Sequence, residues 1–242
     1  MQSAEKKPRI SVIIPTLNEE ENIAKLLPYL NDILPEPSEV IVADGQSSDQ
    51  TKDVAKKNAV KVVEVNKMCR AAQMNAGAKA ARSELLYFLH ADAKPPKDFF
   101  SQVQTAIKEG FDLGCFRFTF DSKSWILAVN AYFTRFDRLM CRGGDQSLFI
   151  KKEIFEELGG YREDYRIMED YEFIIRARKK YPFKIIGDAV EVSARKYREN
   201  SYLRVNFANL VVFTLFRWGA EQKTMINAYR RLLNHPKSES LN

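Results

Sequence analysis

Up to Asp92, apolar and polar positions follow two periods. Short apolar runs at Ile10–Ile14, Val40–Ala43, Val60–Val65 and Leu85–Leu89 read as strands of a buried parallel sheet. Between them apolar residues return at helical spacing, with Ile23, Leu26, Leu27 and Leu30 on one face. A second helix is expected to reach Asn58. A third, over roughly 70–81, carries only Ala, Met74 and Gly77 as its apolar residues, which predicts close packing on the sheet. Pro15 is expected to stop the first strand. Asn18 with Glu21 reads as a capping box, and three glutamates complement the dipole of the helix that follows. Ser47, Ser48 or Asp49 can cap the second helix. The alternation predicts a parallel, doubly wound half.

Beyond Asp92 the pattern is more mixed. It gives a helix carrying Phe99, Val103 and Ile107, then an alternating strand at Cys115–Phe120. Trp125, Val129, Tyr132, Phe136 and Leu139 mark an amphipathic helix, followed by a loop at Gly143-Gly144-Asp145 and a strand at Ser147–Ile150. Ile154–Leu158 reads as a short helix stopped by Gly159-Gly160, Glu169 to about Lys180 as a helix, and Ala189–Ser193 as a strand. Two helices are expected between Ser201 and Leu233. The first, Leu203–Trp218, is strongly apolar, but Arg204, Asn206, Asn209 and Arg217 keep it short of a clean membrane span. It reads as a helix packed on the domain or in a homodimer interface, with a membrane-surface contact as the other reading. The expected division is a flexible tail over 1–9, one α/β domain over 10–200 and a helical extension over 201–242.

Composition narrows the classes. A chain of 242 residues can bury a full core in one large α/β domain with an appendage. The net charge of +6 suits phosphate-bearing small molecules or an anionic membrane surface. No basic run or aromatic RNA-reading motif accompanies it, so nucleic acid is not an expected partner. Cys69, Cys115 and Cys141 are widely spaced, as in reduced thiols of a cytosolic protein, and Met1–Arg9 lacks the apolar core of a signal peptide. With His90 and His235 the only histidines, a multi-histidine metal site or a Ser-His-Asp triad is nearly excluded.

Candidate chemistry gathers where strands end. Val40–Ala43 runs into Asp44 and Leu85–Leu89 into His90-Ala91-Asp92, which delivers two carboxylates to the carboxyl edge where open α/β sheets bind ligands. The first turn, Pro15–Glu20, has no glycine and so is neither a dinucleotide fingerprint nor a P-loop. A diphosphate bound there needs another neutralising agent, and a divalent metal is the obvious one. Asp44–Thr51 offers carboxylates and hydroxyls suited to a base and ribose, or is simply a polar loop with a helix cap. Glu169-Asp170 opens a helix; Asp170 can act as base toward an acceptor hydroxyl, or the pair can merely complement the dipole. Gly143-Gly144-Asp145-Gln146 is a flexible acceptor-side loop or a plain turn. Arg195 and Lys196 face phosphates or are surface charge.

The ordered series Val12–Glu20, Ala43-Asp44-Gly45 with Ser48–Thr51, His90-Ala91-Asp92 and Glu169-Asp170 resembles the family-2 glycosyltransferases of GT-A fold. Arg70–Ala78, Leu89–Asp92, Gly144-Asp145-Gln146 and Ser193-Ala194-Arg195 look like the bacterial branch labelled arsenosugar-biosynthesis or radical-SAM/selenodomain-associated glycosyltransferases. The resemblance spans roughly Ile10 to Arg231. It implies a mixed, mostly parallel sheet flanked by helices, a nucleotide-diphosphate-sugar donor, a hydroxyl acceptor (a small molecule or lipid-linked), and inversion at the anomeric carbon.

By the same resemblance the nucleotide-sugar site comprises Pro15, Thr16, Asn18, Glu19, Asp44, Ser48, Arg70, Ala91, Asp92 and Arg195. Asp44 takes the base or ribose and Arg195 stabilises the leaving group. Asp92 binds Mn²⁺ or Mg²⁺, with His90 standing where an Asp-x-Asp motif has its first Asp. Asp170 is the catalytic base, beside Glu169. Gly144, Asp145 and Gln146 lie on the acceptor side. The Gln-x-x-Arg-Trp motif of processive synthases is absent, so single-sugar transfer is expected. The alternatives are a sugar nucleotidyltransferase, disfavoured by Pro15–Glu20, and a non-catalytic nucleotide-sugar-binding protein. The expected location is cytoplasmic, with a peripheral place at the inner membrane face as the further reading.

Overall fold

The computed structural model describes residues 7–233. Residues 1–6 of the expected tail and 234–242 of the expected extension, His235 among them, lie outside the described residues. Eight strands form one sheet in the order β3-β2-β1-β4-β7-β6-β8-β5. They are β1 (Ser11–Thr16), β2 (Glu39–Asp44), β3 (Lys61–Glu64), β4 (Leu85–Phe88), β5 (Ala93–Lys94), β6 (Leu113–Phe120), β7 (Leu148–Lys151) and β8 (Phe183–Val192). β3, β2, β1 and β4 are parallel, as the doubly wound pattern predicts. β7 then runs antiparallel to both β4 and β6, while β8 pairs parallel to β6 and antiparallel to β5.

Helices cover the sheet: α1 (Glu20–Ile33), α2 (Thr51–Lys57), α3 (Arg70–Ala80), α4 (Phe99–Lys108), α5 (Trp125–Tyr132), α6 (Lys152–Glu157) and α7 (Glu169–Arg178). α8 (Arg195–Glu199), α9 (Tyr202–Arg217) and α10 (Gln222–Leu232) follow. One core joins Ile23, Leu27, Phe99 and Val103 to the sheet, and a second joins Met74, Ala78, Phe155 and Phe173 to its other face. α3 sits close on the second face. A Cβ on Gly77 would come within 2.4 Å of the Ile13 side chain, so the small residues of this helix set its distance from β1.

Four expectations need correction. Pro15 does not stop β1, which runs on to Thr16. Its β4 ladder ends at Ile13, so the N–H that proline lacks would have had no strand to meet, while pairing with β2 continues to Asp44. Asn18 is not the cap of α1: it adopts φ of 53°, and its side chain turns to the loop after β2. The early N–H groups of α1 are met from that loop instead, Glu19 donating to Thr51 Oγ1 (2.9 Å) and Glu20 to Asp49 (3.2 Å). The strand expected at Ala189–Ser193 begins at Phe183. Gly187 and Asp188 are absorbed in a bulge against β6, so the strand continues through them with a local kink.

The stretch expected as one amphipathic helix from Trp125 to Leu139 is helical only to Tyr132 and then breaks into short turns. The residues expected to face inward are largely outside: Trp125, Val129, Tyr132 and Phe136 are exposed, and Leu127 is the buried residue of α5. The two expected C-terminal helices form, α9 capped by Ser201, which accepts from the Arg204 N–H. Among the described residues no helix is long and apolar enough to cross a membrane.

Candidate functional site

The carboxyl ends of β1, β2 and β4 carry the first cluster. The Gln73 amide on α3 donates to the carbonyls of Thr16 (2.5 Å) and Ala43 (3.1 Å), stapling the ends of β1 and β2 together. Gly45 leaves room for it, since a Cβ there would lie 2.7 Å from the Gln73 nitrogen. The loops after β1 and β2 interlock: Asn18 N donates to Ser47 Oγ (2.9 Å) and Ser48 N donates to the Asn18 side-chain Oδ1 (2.8 Å). Asp44 is fully buried. One of its oxygens accepts from Ser47 N (2.9 Å), and the other from Ser47 Oγ (2.5 Å) and Thr16 Oγ1 (3.2 Å).

In this arrangement Asp44, expected at the base or ribose, shapes the loop from beneath. Thr16 and Glu19 are buried beside it, Pro15 is half-buried, and Asn18 and Ser48 are exposed at the loop surface. Arg195, at the start of α8, approaches Glu19 at 3.9 Å and so brings the C-terminal part of the chain against the first loop.

A second cluster links four charged or titratable groups from separate elements. Arg70 Nε lies 3.1 Å from Glu169, which is 2% exposed at the head of α7. An Arg70 terminal nitrogen lies 3.5 Å from His90 Nε2, and His90 Nδ1 lies 3.4 Å from Asp145. The Glu169 carboxylate, reinforced by Asp170 and Asp145, holds the Arg70 guanidinium firmly protonated. Burial raises the Glu169 carboxyl against the opposing pull of Arg70. Asp145 is largely exposed, and the hydrogen bond and charge of His90, with Lys196 and Arg70, hold it below the usual carboxylate range.

His90, expected as a metal ligand, has Arg70 near one ring nitrogen and Asp145 near the other. Among the described residues no group of three or more His, Cys, Asp or Glu side chains is arranged to hold a metal ion. Asp92 is half-buried after β4, and no described residue bonds to or pairs with its carboxylate; its backbone carbonyl accepts from Ser193 N (3.2 Å). A lone free carboxylate fits the mode in which Mg²⁺-like ions are held by one or two carboxylates plus substrate phosphates, and it does not fit an all-protein cage. Ala91 is buried between His90 and Asp92.

A narrow cleft of about 20 Å³, lined by Met74, Phe88, Leu148, Tyr161 and Ile174 together with His90, Gly143, Ser147, Glu169 and Asp170, lies between the end of β4 and the head of α7. Met168, just before α7, is held at φ of 64°, a conformation rare for a side-chain-bearing residue and one that turns the chain sharply into Glu169-Asp170. Asp170 accepts from Tyr171 N (2.8 Å) and stands half-exposed at the cleft. Gly144, Asp145 and Gln146 form a short 3-10 turn. Asp145 faces the cluster, whereas Gln146 is buried, its carbonyl oxygen 3.8 Å from Cys115 Sγ and its amide nitrogen without a partner. Burial pushes the Cys115 thiol up to about 11, so it stays protonated.

Three positioning residues escape the sequence reading. Gln73 reads as one more polar residue on α3. Asn75 bonds both backbone groups of Tyr161, donating to its carbonyl (2.8 Å) and accepting from its N–H (2.9 Å). Gln222 on α10 accepts from Arg166 N (2.9 Å) and Ile167 N (3.2 Å), tying the C-terminal helices to the approach to α7. Asn75 and Gln222 act across separations of 86 and 56 residues, which no local pattern encodes.

The profile of the family described as "Glycosyl transferase family 2" matches residues 11–172. Over 184 residues the chain is 30% identical to the PGL/p-HBAD biosynthesis glycosyltransferase of Mycobacterium bovis (strain BCG / Pasteur 1173P2), covering 70% of this chain and 69% of that protein. It is 34% identical over 99 residues to the dolichyl N-acetyl-alpha-D-glucosaminyl phosphate 3-beta-D-2,3-diacetamido-2,3-dideoxy-beta-D-glucuronosyltransferase of Methanococcus voltae, 37% of this chain and 31% of that one. The chain spans less than two thirds of the length of several curated relatives that it matches. The solved mannosyltransferase PcManGT from Pyrobaculum calidifontis, in complex with GDP-Man and Mn²⁺, superposes with a TM-score of 0.66 at 21% identity. That likeness covers 98% of this chain and 74% of the other, and it concerns the fold, which is GT-A.

Proposed function

The chain belongs to glycosyl transferase family 2, and from that premise we propose that it moves one sugar, with inversion, from a nucleotide-diphosphate sugar to an acceptor hydroxyl. The observation that carries the reading is the charged cluster in which Arg70 bridges the strand-end segment at His90 and Glu169-Asp170 at the head of α7. Asp170 accepts the acceptor's proton as the hydroxyl attacks the anomeric carbon, and the bond to the diphosphate breaks on the opposite face. Glu169 holds Arg70 at the donor edge. Arg195 pairs with the departing diphosphate, a role suited to a guanidinium. Asp92, with the donor's own phosphate oxygens, would hold Mn²⁺ or Mg²⁺, which when bound neutralises charge on the leaving diphosphate. Asn18, Glu19 and Ser48 border the nucleoside, with Asp44, Thr16 and Pro15 supporting the loop from below.

Finer assignments belong to the same proposal. The motifs at 70–78, 89–92, 144–146 and 193–195 favour the arsenosugar or radical-SAM/selenodomain-associated branch. The division at residue 200 separates the transferase domain from a helical extension, and the protein works in the cytoplasm with a small or lipid-linked acceptor. A thermal-shift screen of UDP-, GDP- and other nucleotide sugars, with and without Mn²⁺, tests the reading. One nucleotide class is expected to stabilise the protein well beyond the rest, and more so with metal. Equal shifts from all nucleotides with no metal effect would overturn it.

A further inference from the structure

The segment from Lys123 to Cys141 is apolar on its outer side. Trp125 is 74% exposed, Phe133 51% and Met140 63%, and Val129, Tyr132 and Phe136 are exposed with them. A helix apolar all round normally lies inside a protein, yet α5 buries one residue, Leu127. This face is rigidly presented rather than frayed. Arg142, 2% exposed, donates to the carbonyls of Thr134 and Phe136, and Asn130 donates to the Tyr197 hydroxyl (3.0 Å).

The charges around the patch are one-sided. Its one acid, Asp137, pairs with Arg178 at 2.7 Å. Lys123, Arg135 and Arg138 have no acidic partner among the described residues, and Arg135 lies over the Tyr132 ring at 3.6 Å. Trp, Tyr and Phe interleaved with unpaired cations match a bilayer interface, where aromatic rings sit at headgroup depth and cations meet anionic lipids. A second copy of this face would bring those cations together, so charge disfavours self-association through it.

We propose that the Trp125–Met140 surface docks this protein on an anionic lipid bilayer. The proposal does not depend on the transfer reading. Because Arg142 leads directly into Gly143–Gln146, docking sets the cleft of Asp170 beside the membrane surface.

Full-length protein is sedimented with phosphatidylcholine vesicles and with vesicles containing phosphatidylglycerol, at low and high salt. Binding is expected with the anionic vesicles alone and should fall as salt rises. R135Q/R138Q should weaken it by about 25-fold, at roughly fivefold per cation near an anionic leaflet, and W125S/F133S by at least tenfold. All four positions are exposed, so unchanged circular-dichroism melting is expected of both variants. In a W218F background, vesicles should shift Trp125 emission to the blue. Absence of binding to anionic vesicles, or equal binding by both variants, would overturn the proposal. So would a dimer, seen by sedimentation equilibrium, that the same substitutions dissolve.

Discussion

Two loop clusters at one sheet edge, proposed above as the donor edge and the acceptor edge, are built in opposite ways. At the donor edge the loops after β1 and β2 satisfy each other: Asn18, Ser47, Ser48, Asp49 and Thr51 trade hydrogen bonds, and Asp44 accepts three from beneath. At the acceptor edge polar atoms are left over. The Arg142 Nε and the Gln146 amide nitrogen are buried without partners, and the neighbouring surface is apolar. A pocket for a constant ligand part can be finished in advance, whereas unmatched groups around the cleft leave energy to be recovered when a second substrate arrives.

The contrast can be broken by substitution. Short of replacing the proposed base itself, the largest effect is expected from Asp92→Asn, which should cut metal-stimulated transfer on the order of a hundredfold and abolish the extra donor-induced thermal shift given by Mn²⁺. Steady-state rates across a metal titration check this; a variant with the wild-type metal response would remove Asp92 from the donor edge. Next, Gly77→Ala should push α3 away from Ile13 and cost about 1–3 kcal/mol in a denaturant melt. Donor affinity should fall with it, because Gln73 rides on the same helix. Wild-type stability would show that α3 is free to shift.

The smallest effect lies at the far end of the sheet. Glu39 accepts from Ser11 Oγ (2.5 Å), Arg82 N (2.5 Å) and Ser83 N (3.3 Å). Burial raises its carboxyl, but these bonds win and hold it below the usual range. A depressed folded pKa gives stability that is complete above the unfolded value, about 4.3, and lost as pH falls through the folded one. Glu39→Gln should therefore cost about 1–2 kcal/mol at pH 7 and progressively less below about pH 4. Melts across that range test the sign: a penalty that grows in acid would contradict it.

The same contrast explains what the sequence discloses. β1 to β4 and the α1 to α3 crossovers are legible because buried parallel strands are unbroken apolar runs and each connection is local. Asp44, Asp92 and Glu169-Asp170 stand out as acids at element ends. The cross-capping of α1 by Asp49 and Thr51 is invisible, because a capping box at Asn18–Glu21 satisfies the same local rule and only the fold brings the rival caps within reach. The surroundings of His90 are hidden in the same way, since Asp145 and Arg70 come from distant segments. The exposed face of α5 misleads most, since helical spacing reports which residues share a side and not whether that side is covered.

In the proposed mechanism, Asp170 does chemistry on the acceptor hydroxyl at a donor edge it does not build. Asp170→Asn protein, compared with wild type for transfer rate and donor affinity in the same buffer, tests it most directly. The account predicts transfer reduced on the order of a thousandfold or more with donor affinity within about threefold of wild type. Transfer at the wild-type rate, or a loss of donor binding that matches the loss of rate, would contradict it.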